Sequence, residues 1–234
     1  MHFDLICKMK NWVLGTLFLV SCHVYGQQRQ DAASWLSLVL EQKLPQNLSL
    51  KVQSRFRFAD NISHLKSYYI DLGLFYKVSE NFKVSLDAVY APYQLDNSNY
   101  KSLFQYYASI SNTFQIAKKW SISNRVIGQY TSSNFIVDNG TIFYMRADLR
   151  EKLTFGYDLN KKTNFYLADE IMAPISVSPF LIRRNRLYIG VNRKITKQFE
   201  VDLYFLLQNS FFKKVNTTDF IYGLTLGYKF KKWK

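Results

Sequence analysis

The chain has 234 residues and a formal net charge of +14, with 48% hydrophobic and 17% aromatic residues. This length is enough for one large all-β domain or two small ones, and the hydrophobic content excludes a disordered chain. The even mixture of apolar and polar residues excludes a bundle of membrane-spanning helices, while the basic charge indicates an anionic partner.

The N-terminal segment has the features of a secretory signal peptide. Lys8 and Lys10 supply positive charge, a short apolar run follows them, and small residues precede Gln27. We therefore predict a signal peptide over residues 1–26 and a mature domain over residues 27–234. The apolar run is too short for a membrane-spanning helix.

A competing interpretation of this segment takes Leu19-Val20-Ser21-Cys22 as a lipoprotein signal, in which Cys22 would be lipidated. We favour ordinary cleavage, because a good cleavage site follows and a strand begins soon afterwards. Both cysteines lie before Gln27, so the mature domain would have no disulfide and no cysteine-based metal site.

Apolar and polar residues alternate in segment after segment of the remaining chain. Since the side chains of a strand point alternately to its two faces, each segment predicts a strand with one apolar and one polar face. In chain order the predicted strands cover residues 35–41, 48–58, 68–78, 82–90, 104–114, 120–130, 142–155, 163–172, 186–192, 199–208 and 220–230.

The connections between these strands alternate in length. Short turns are predicted around Pro45, Glu80, Ala117, Asn160 and Thr196, and loops of about seven to twelve residues around Asn61, Asp96, Asn134, Pro174 and Lys214. Strands of about ten residues, with short turns at one end and longer loops at the other, are typical of an antiparallel transmembrane β-barrel. We expect the short turns to face the periplasm.

The soluble alternative is a secreted β-sandwich, which is also built from alternating strands. A sandwich predicts strands of about five or six residues, whereas several segments here are about twice as long. It also gives no reason for connection lengths to alternate. The sequence therefore favours the barrel. The segments predict a wall of about ten to twelve strands. Bacterial barrels of this type have an even number of strands, so we expect either ten or twelve.

Charged residues of both signs occupy the polar faces of the predicted strands. The lumen of a small barrel is largely filled by side chains, so these groups should pair across strands rather than stand alone. The candidate lumenal residues are Arg55, Arg57, Asp71, Asp87, Arg125, Arg146, Asp148, Arg150, Glu170, Arg186, Glu200 and Asp202.

Two interpretations of this charged lumen remain. An ion-pair lattice that fills the lumen is favoured, because the two signs are nearly balanced, and a narrow charged pore is the second. Glu170 is the best candidate partner of Arg186. Placing Glu170 inside forces Asp169 outward unless a bulge intervenes.

The excess of basic residues lies in the turns and the C-terminal tail rather than on one face. Lys118, Lys119, Lys161 and Lys162 are examples. Nucleic-acid-binding proteins combine basic residues with accessible aromatic residues on one surface, so we predict no nucleic-acid partner. Lysines confined to a rim fit the phosphates of outer-membrane lipid and lipopolysaccharide. We expect a monomer.

Catalytic residues are scarce in the mature domain. His64 is its one histidine, and it lies in a predicted loop near Ser63 and Ser67. A serine nucleophile would need this histidine and an orienting group beside it. We predict no enzymatic activity, no cofactor and no metal site. The alternative is a barrel enzyme, or a lipid- or small-molecule-binding barrel, with a loop site near His64.

Several short motifs in this order resemble a known family. They are Trp35, Arg55, Gly73-Leu74-x-Tyr76-Lys77, Arg146, Arg150, Glu170 and Asn185-Arg186-Leu187-Tyr188-Ile189-Gly190-Val191. Together they resemble the bacterial, Bacteroidota-type outer-membrane β-barrel family filed as domain-of-unknown-function family 2490, over most of the mature chain. The resemblance implies a barrel in the outer membrane of a Gram-negative bacterium and assigns no activity.

The C-terminal segment resembles the signal by which the barrel-assembly machinery recognises a terminal strand. Tyr228 and Phe230 are its aromatic residues, followed by an additional Lys231-Lys232-Trp233-Lys234 tail. The sequence thus predicts an outer-membrane β-barrel that acts as a structural envelope protein or as a narrow channel with a charged lumen.

Overall fold

The computed structural model describes residues 29–96, 99–137, 140–175, 181–211 and 216–231. Their regular structure consists of thirteen β-strands within these ranges. The strands are β1 Arg29–Lys43, β2 Leu48–Ala59, β3 His64–Lys77, β4 Phe82–Tyr90, β5 Tyr93–Asp96, β6 Asn99–Lys101, β7 Leu103–Ala117, β8 Trp120–Val137, β9 Gly140–Asp158, β10 Thr163–Pro174, β11 Arg184–Lys194, β12 Phe199–Ser210 and β13 Thr217–Lys229. The predicted signal peptide and Cys22 lie outside the described residues.

Eleven of these strands form a closed barrel, which confirms the predicted fold class. Each pairs with its neighbours in chain order, and β1 closes the ring by pairing with both β2 and β13. The remaining two, β5 and β6, form a small hairpin that contacts β3 through Ser67 and Tyr93. Each of the eleven segments predicted from the sequence is one strand of the barrel wall.

The wall contains eleven strands, which confirms the predicted range of ten to twelve. The even number expected within that range is wrong. With an odd number, the first and last strands run in the same direction, and β1 therefore pairs with β13 in parallel. Trp35 lies opposite Gly223 in this seam. As a consequence, the start of β1 and the end of β13 lie at opposite rims of the barrel.

One rim, which we call the turn rim, carries the connections 44–47, 78–81, 118–119, 159–162 and 195–198. The opposite loop rim carries longer connections at 91–102 and 175–183, and one of six residues at 211–216. Two long loops expected there are absent from the described structure. The β2–β3 connection is only Asp60–Ser63, and Asn134 belongs to β8.

Local contacts explain both departures. In the β2–β3 turn, Asp60, Asn61 and Ile62 have φ angles of 53°, 56° and 66°, which bend the chain tightly. The Asp31 carboxylate accepts hydrogen bonds from the backbone N–H groups of Asp60 and Asn61 at 3.0 and 2.9 Å. Near Asn134, β8 and β9 continue to pair with each other as far as Val137 and Gly140.

The wall has the opposite polarity to that of a soluble protein. Leucine, isoleucine and aromatic side chains point outward; Leu86, for example, is 66% exposed. Charged and polar side chains point inward, and Asp148 is 0% exposed. A water-soluble domain buries its apolar residues, so the two faces of this wall are arranged in the opposite way.

An apolar cluster fills one side of the lumen. It is built by strands on both sides of the seam and consists of Ala33, Trp35, Ala168, Tyr188, Leu206 and Ile221, with Tyr166 and Tyr204 packed against it. The opposite side of the lumen, lined largely by β2, β3, β4, β7, β8 and β9, contains the charged cavity described below.

Tyrosine rings cover glycine residues on neighbouring strands inside the lumen. Tyr166 lies opposite Gly190, and Tyr204 lies opposite Gly223. A Cβ atom added to Gly223 would come within 2.0 Å of the Tyr204 ring. Because Tyr204 also packs against Tyr188, with 6.0 Å between ring centroids, the ring has little room to move away. These glycines let the rings lie flat against the wall.

We expect Gly223→Ala to destabilise the barrel by about 1–3 kcal/mol, because the added methyl group overpacks the Tyr204 ring. The matched control is Gly128→Ala, whose added Cβ would lie 3.9 Å from its nearest neighbour, the Ala108 carbonyl oxygen. The midpoint temperature of unfolding, followed by circular dichroism in detergent, should fall for the first variant and stay near the wild-type value for the second. Equal midpoints would contradict the packing argument.

Candidate functional site

The lumen contains a cavity of about 510 Å³ with a strongly basic lining. Among the described residues, ten basic side chains and four carboxylates line it. The charges listed from the sequence for the inward faces are nearly balanced, whereas basic groups predominate in the lining of this cavity. The imbalance arises because inward positions of β2, β8, β9 and β11 carry arginine, while Asp148 and Glu170 lie behind the cavity surface, where arginine side chains cover them.

Glu170 is the centre of the best-satisfied ion cluster. Its Oε1 atom lies 2.8 Å from Arg150 Nη2 and 2.9 Å from Arg186 Nη1. The two guanidinium groups also donate to neutral acceptors, Arg150 to Gln129 Oε1 at 3.2 Å and Arg186 to Gln208 Oε1 at 2.8 Å. Glu170 and Arg186 are each 4% exposed, so the pair is shielded from solvent and stabilised by hydrogen bonds on both sides.

The register of the strands produces this cluster directly. Glu170 lies opposite Arg186 on β11 and opposite Lys152 on β9, and no bulge interrupts β10. Asp169 consequently points to the outer face, where its Oδ1 atom accepts a hydrogen bond of 2.5 Å from Asn185 Nδ2.

A second ion cluster surrounds Asp148 nearer the loop rim. Its Oδ2 atom lies 2.7 Å from Arg146 Nε and 3.4 Å from Arg183 Nη2. Arg183 precedes β11, and its side chain reaches into the lumen from the connection. Two carboxylates thus hold four of the lumenal arginines.

The other cations of the cavity have no such partner. Within the described part of the chain, no salt bridge is formed by Lys51, Arg55, Arg57, Lys66, Arg125 or Arg184. Two of them donate to serine hydroxyl groups instead. Arg55 Nε lies 3.1 Å from Ser37 Oγ, and Arg125 Nε lies 3.2 Å from Ser109 Oγ.

Arg57 is held by aromatic rings. Its guanidinium carbon lies 4.0 Å from the Trp35 ring centroid and 4.1 Å from that of Tyr69. Its Nη1 atom donates a hydrogen bond of 2.6 Å to the Tyr69 hydroxyl. Stacking between two rings fixes the plane of the guanidinium group without neutralising its charge.

The remaining predicted carboxylates divide between the cavity and the turn rim. Asp71 lines the cavity, and its Oδ1 atom has no hydrogen-bond partner in the described structure. Asp202 accepts a hydrogen bond of 3.1 Å from the Tyr166 hydroxyl, and Glu200 pairs with Lys229 at 2.7 Å. Neither Asp202 nor Glu200 lines the cavity.

Several residues of the site were not singled out from the sequence. They are Lys51, Arg183, Arg184 and the aromatic residues Tyr69 and Tyr107, while Trp35 was noted only as a motif residue. Strand alternation could have identified Lys51 and Arg184, because they share the inward face with the predicted residues. Arg183 could not be found this way, since it lies outside a strand.

The other sequence-based sites are placed as follows. Tyr228 and Phe230 form an aromatic pair at the turn rim, with ring centroids 5.0 Å apart. His64 begins β3 at the loop rim. Within the described ranges, no group of three or more histidine, cysteine, aspartate or glutamate residues is arranged to hold a metal ion. The same ranges contain no helix with the length and apolar character to cross a membrane.

We expect Glu170→Gln to destabilise the barrel by about 3–5 kcal/mol, because it leaves Arg150 and Arg186 without a buried counter-charge. The matched control is Glu200→Gln at the turn rim, whose ion pair with Lys229 is partly exposed and should contribute below about 1 kcal/mol. Urea unfolding followed by tryptophan fluorescence would measure both. Similar losses in the two variants would contradict the central role of Glu170.

Comparisons with known proteins give a family and a structural likeness. A search of curated proteins gave no match. Among solved structures, the chain is similar to one described as "NanC porin structure in rhombohedral crystal form", with 8% sequence identity, a TM-score of 0.47, and coverage of 77% of this chain and 87% of that one. The family model described as "Protein of unknown function (DUF2490)" matches residues 32–219. The chain therefore belongs to the DUF2490 family, as its motifs indicated.

Proposed function

We propose that the protein is an integral outer-membrane β-barrel whose lumen forms a narrow passage that favours anions. The observation that carries this proposal is the inverted polarity of the wall, with an apolar outer face and a charged cavity inside. A closed barrel satisfies its backbone hydrogen bonds within the wall, which is the condition for a β-structure to span a membrane.

Aromatic residues at both rims support insertion into a membrane. At the turn rim, Trp120 and Tyr157 pack with ring centroids 4.7 Å apart. Towards the loop rim, Tyr90 packs between Tyr68 and Phe104, at centroid distances of 6.4 and 5.3 Å. Such rings are favoured where the apolar core of a membrane meets the polar headgroups. The strands between the rims have the length that a spanning strand needs, about 9–11 residues.

Lysine residues concentrate at the turn rim, beyond the aromatic residues. Lys118, Lys119, Lys161, Lys162 and Lys197 lie in or beside its turns. Exposed ammonium groups at this position suit lipid phosphates. We propose that this rim faces the periplasm and that the segment 1–26 directs export of the chain. We also propose that the assembly machinery recognises the C-terminal strand. The folded barrel is then a monomer in contact with outer-membrane lipid and lipopolysaccharide.

The charge of the lining favours anions in the lumen. A narrow pore selects ions by the charged side chains that line it, and the cavity has more than twice as many basic as acidic groups. The ion clusters at Glu170 and Asp148 stabilise the wall around the cavity. The proposal therefore also includes the structural role predicted from the sequence.

We further propose that the barrel is not an enzyme. His64 lies at the loop rim, and in the described structure it has no hydrogen bond to a serine or a carboxylate. The nearby Ser63 hydroxyl donates instead to the Asp60 carbonyl oxygen, at 2.5 Å. Ser67 is inward-facing and buried. This arrangement does not provide the activated nucleophile that hydrolysis by serine requires.

Membrane insertion is tested by fractionation and gel mobility. We expect the protein in the outer-membrane fraction, and we expect its detergent extract to migrate differently on a gel before and after boiling, because a closed barrel resists unfolding by detergent. Recovery in the soluble fraction with identical mobility in both lanes would contradict the proposal.

Ion selectivity is tested in planar bilayers with a salt gradient. We expect the reversal potential of the wild-type protein to show a preference for anions, and the double variant Arg55→Gln/Arg125→Gln to reduce that preference, because it removes two unpaired charges from the cavity. The control, Lys161→Gln/Lys162→Gln, removes the same charge from the turn rim. A folded protein that carries no current, or an equal effect of both double variants, would overturn the proposed passage.

A further inference from the structure

We propose that the lumenal cavity contains a binding site for a small organic anion bearing a carboxylate or a phosphate group, formed by the guanidinium groups of Arg57 and Arg184 with Arg55 beside them. This inference rests on the proposed function and extends it, because it names the class of solute that binds in the lumen. The binding itself requires only the folded barrel.

The first element of the site is the fixed orientation of Arg57. Stacking between Trp35 and Tyr69, at 4.0 and 4.1 Å, and the hydrogen bond to the Tyr69 hydroxyl set the plane of its guanidinium group. Its Nε atom is buried and has no hydrogen-bond partner in the described structure. A guanidinium group that is already oriented loses little conformational entropy when it binds an anion.

The second element is the convergence of further positive charge on the same region. Arg184 lines the same cavity as Arg57, Arg183 and Arg186, and the charges of these three arginines act on it. Its Nε atom is also buried without a hydrogen-bond partner among the described residues. Arg55 shares the Trp35 ring with Arg57, at 5.7 Å from the ring centroid. Like charges that converge in a confined space repel each other, and an anion between them would replace this repulsion by attraction.

The carboxylates of the wall do not supply that negative charge. Glu170 and Asp148 are each held by two other arginines. Asp31 accepts hydrogen bonds from the β2–β3 turn, and Asp219 accepts one of 2.6 Å from Gln208 Nε2. Among the described residues, Arg57 and Arg184 therefore form a part of the lumen where no carboxylate forms a salt bridge with the positive charge.

The shape and chemistry of the cavity indicate the class of ligand. Its volume of about 510 Å³ lies in the range of sites for small organic molecules, about 300–1,000 Å³. The planar fork of arginine matches the paired oxygens of a carboxylate or a phosphate. The rings of Trp35, Tyr69 and Tyr107 line the same cavity and offer apolar surface to the rest of the molecule.

Isothermal titration calorimetry on the full barrel, purified from membranes in detergent, tests the proposal with matched probes. Glycerol 3-phosphate is compared with glycerol, and succinate with succinamide, all at constant ionic strength set by sodium chloride. We expect at least one of the two anions to bind and both neutral counterparts to fail. Arg57→Gln and Arg184→Gln should each weaken binding roughly ten- to a hundredfold, as for the loss of a charged hydrogen bond. Lys161→Gln, which removes the same charge from the turn rim, should change affinity less than about twofold.

Trp35 provides a second measurement that locates the bound anion. Because Arg57 stacks on its ring, a ligand on Arg57 should change the tryptophan fluorescence of the barrel, and this change should disappear in Trp35→Phe. The folding of every variant is checked by its gel mobility before and after boiling. Arg184→Gln leaves the Trp35–Arg57–Tyr69 stack in place, so it keeps the test decisive if Arg57→Gln fails to fold.

Three results would overturn the site: equal binding of an anion and its neutral counterpart, the absence of binding by both anions to folded protein, or unchanged affinity in a folded Arg184→Gln variant. Failure of the site and failure of the passage are distinguishable. Current across a bilayer without binding in detergent removes only the site. Binding in detergent without current removes only the passage.

Discussion

Closure of the wall between β1 and β13 is the constraint on which the rest of the structure depends. An open sheet would expose a row of unpaired N–H and C=O groups, at a large free-energy cost in an apolar environment. The chain closes with an odd number of strands, so the closing pair is parallel, although parallel pairing is slightly less stable per residue.

Contacts at both ends of β1 hold this strand in the wall. At the loop rim, Asp31 of β1 binds the backbone of the β2–β3 turn, and the Ala32 carbonyl oxygen accepts the Ile62 N–H at 3.1 Å. At the turn rim, the Phe230 N–H donates to the Glu41 carbonyl oxygen at 2.9 Å, and Gln42 Nε2 donates to the Lys231 carbonyl oxygen at 3.0 Å. The additional tail after Phe230 thus begins with a residue that fastens the last strand to the first.

The sequence predicted the wall well because one physical rule controls it. Every strand of the closed wall has one apolar and one polar face, so a period of two located all eleven strands and the inward position of residues such as Arg55 and Glu170. The proximity of Arg186 and Glu170 follows from the same rule, since both face inward on neighbouring strands.

The remaining features depend on contacts that alternation does not encode. Whether the strand number is odd or even depends on the direction in which β1 runs in the wall. The extension of β8 and β9 depends on hydrogen bonds that these two strands make with each other. The sequence also counted inward charges without showing which of them meet. Glu170 and Asp148 each pair with two arginines, and neither carboxylate lines the cavity. The lining is therefore basic, although the inward charges counted from the sequence are nearly balanced.

Trp35 connects the seam to this cavity. Its strand pairs with β13, and its ring belongs to the apolar cluster that fills one side of the lumen. The guanidinium groups of Arg55, Arg57 and Arg186 lie over the same ring, with their carbon atoms 5.7, 4.0 and 5.2 Å from its centroid.

These three arginines have different partners, and the difference defines the site. Arg186 is neutralised by Glu170, whereas Arg55 and Arg57 are not paired with a carboxylate in the described structure. An indole ring stabilises a guanidinium group through its π-electrons but leaves the net charge in place. Trp35 therefore packs in the apolar cluster and also positions arginine side chains whose charge is not neutralised in the cavity. Closure of the wall and the electrostatic character of the cavity consequently depend on the same strand.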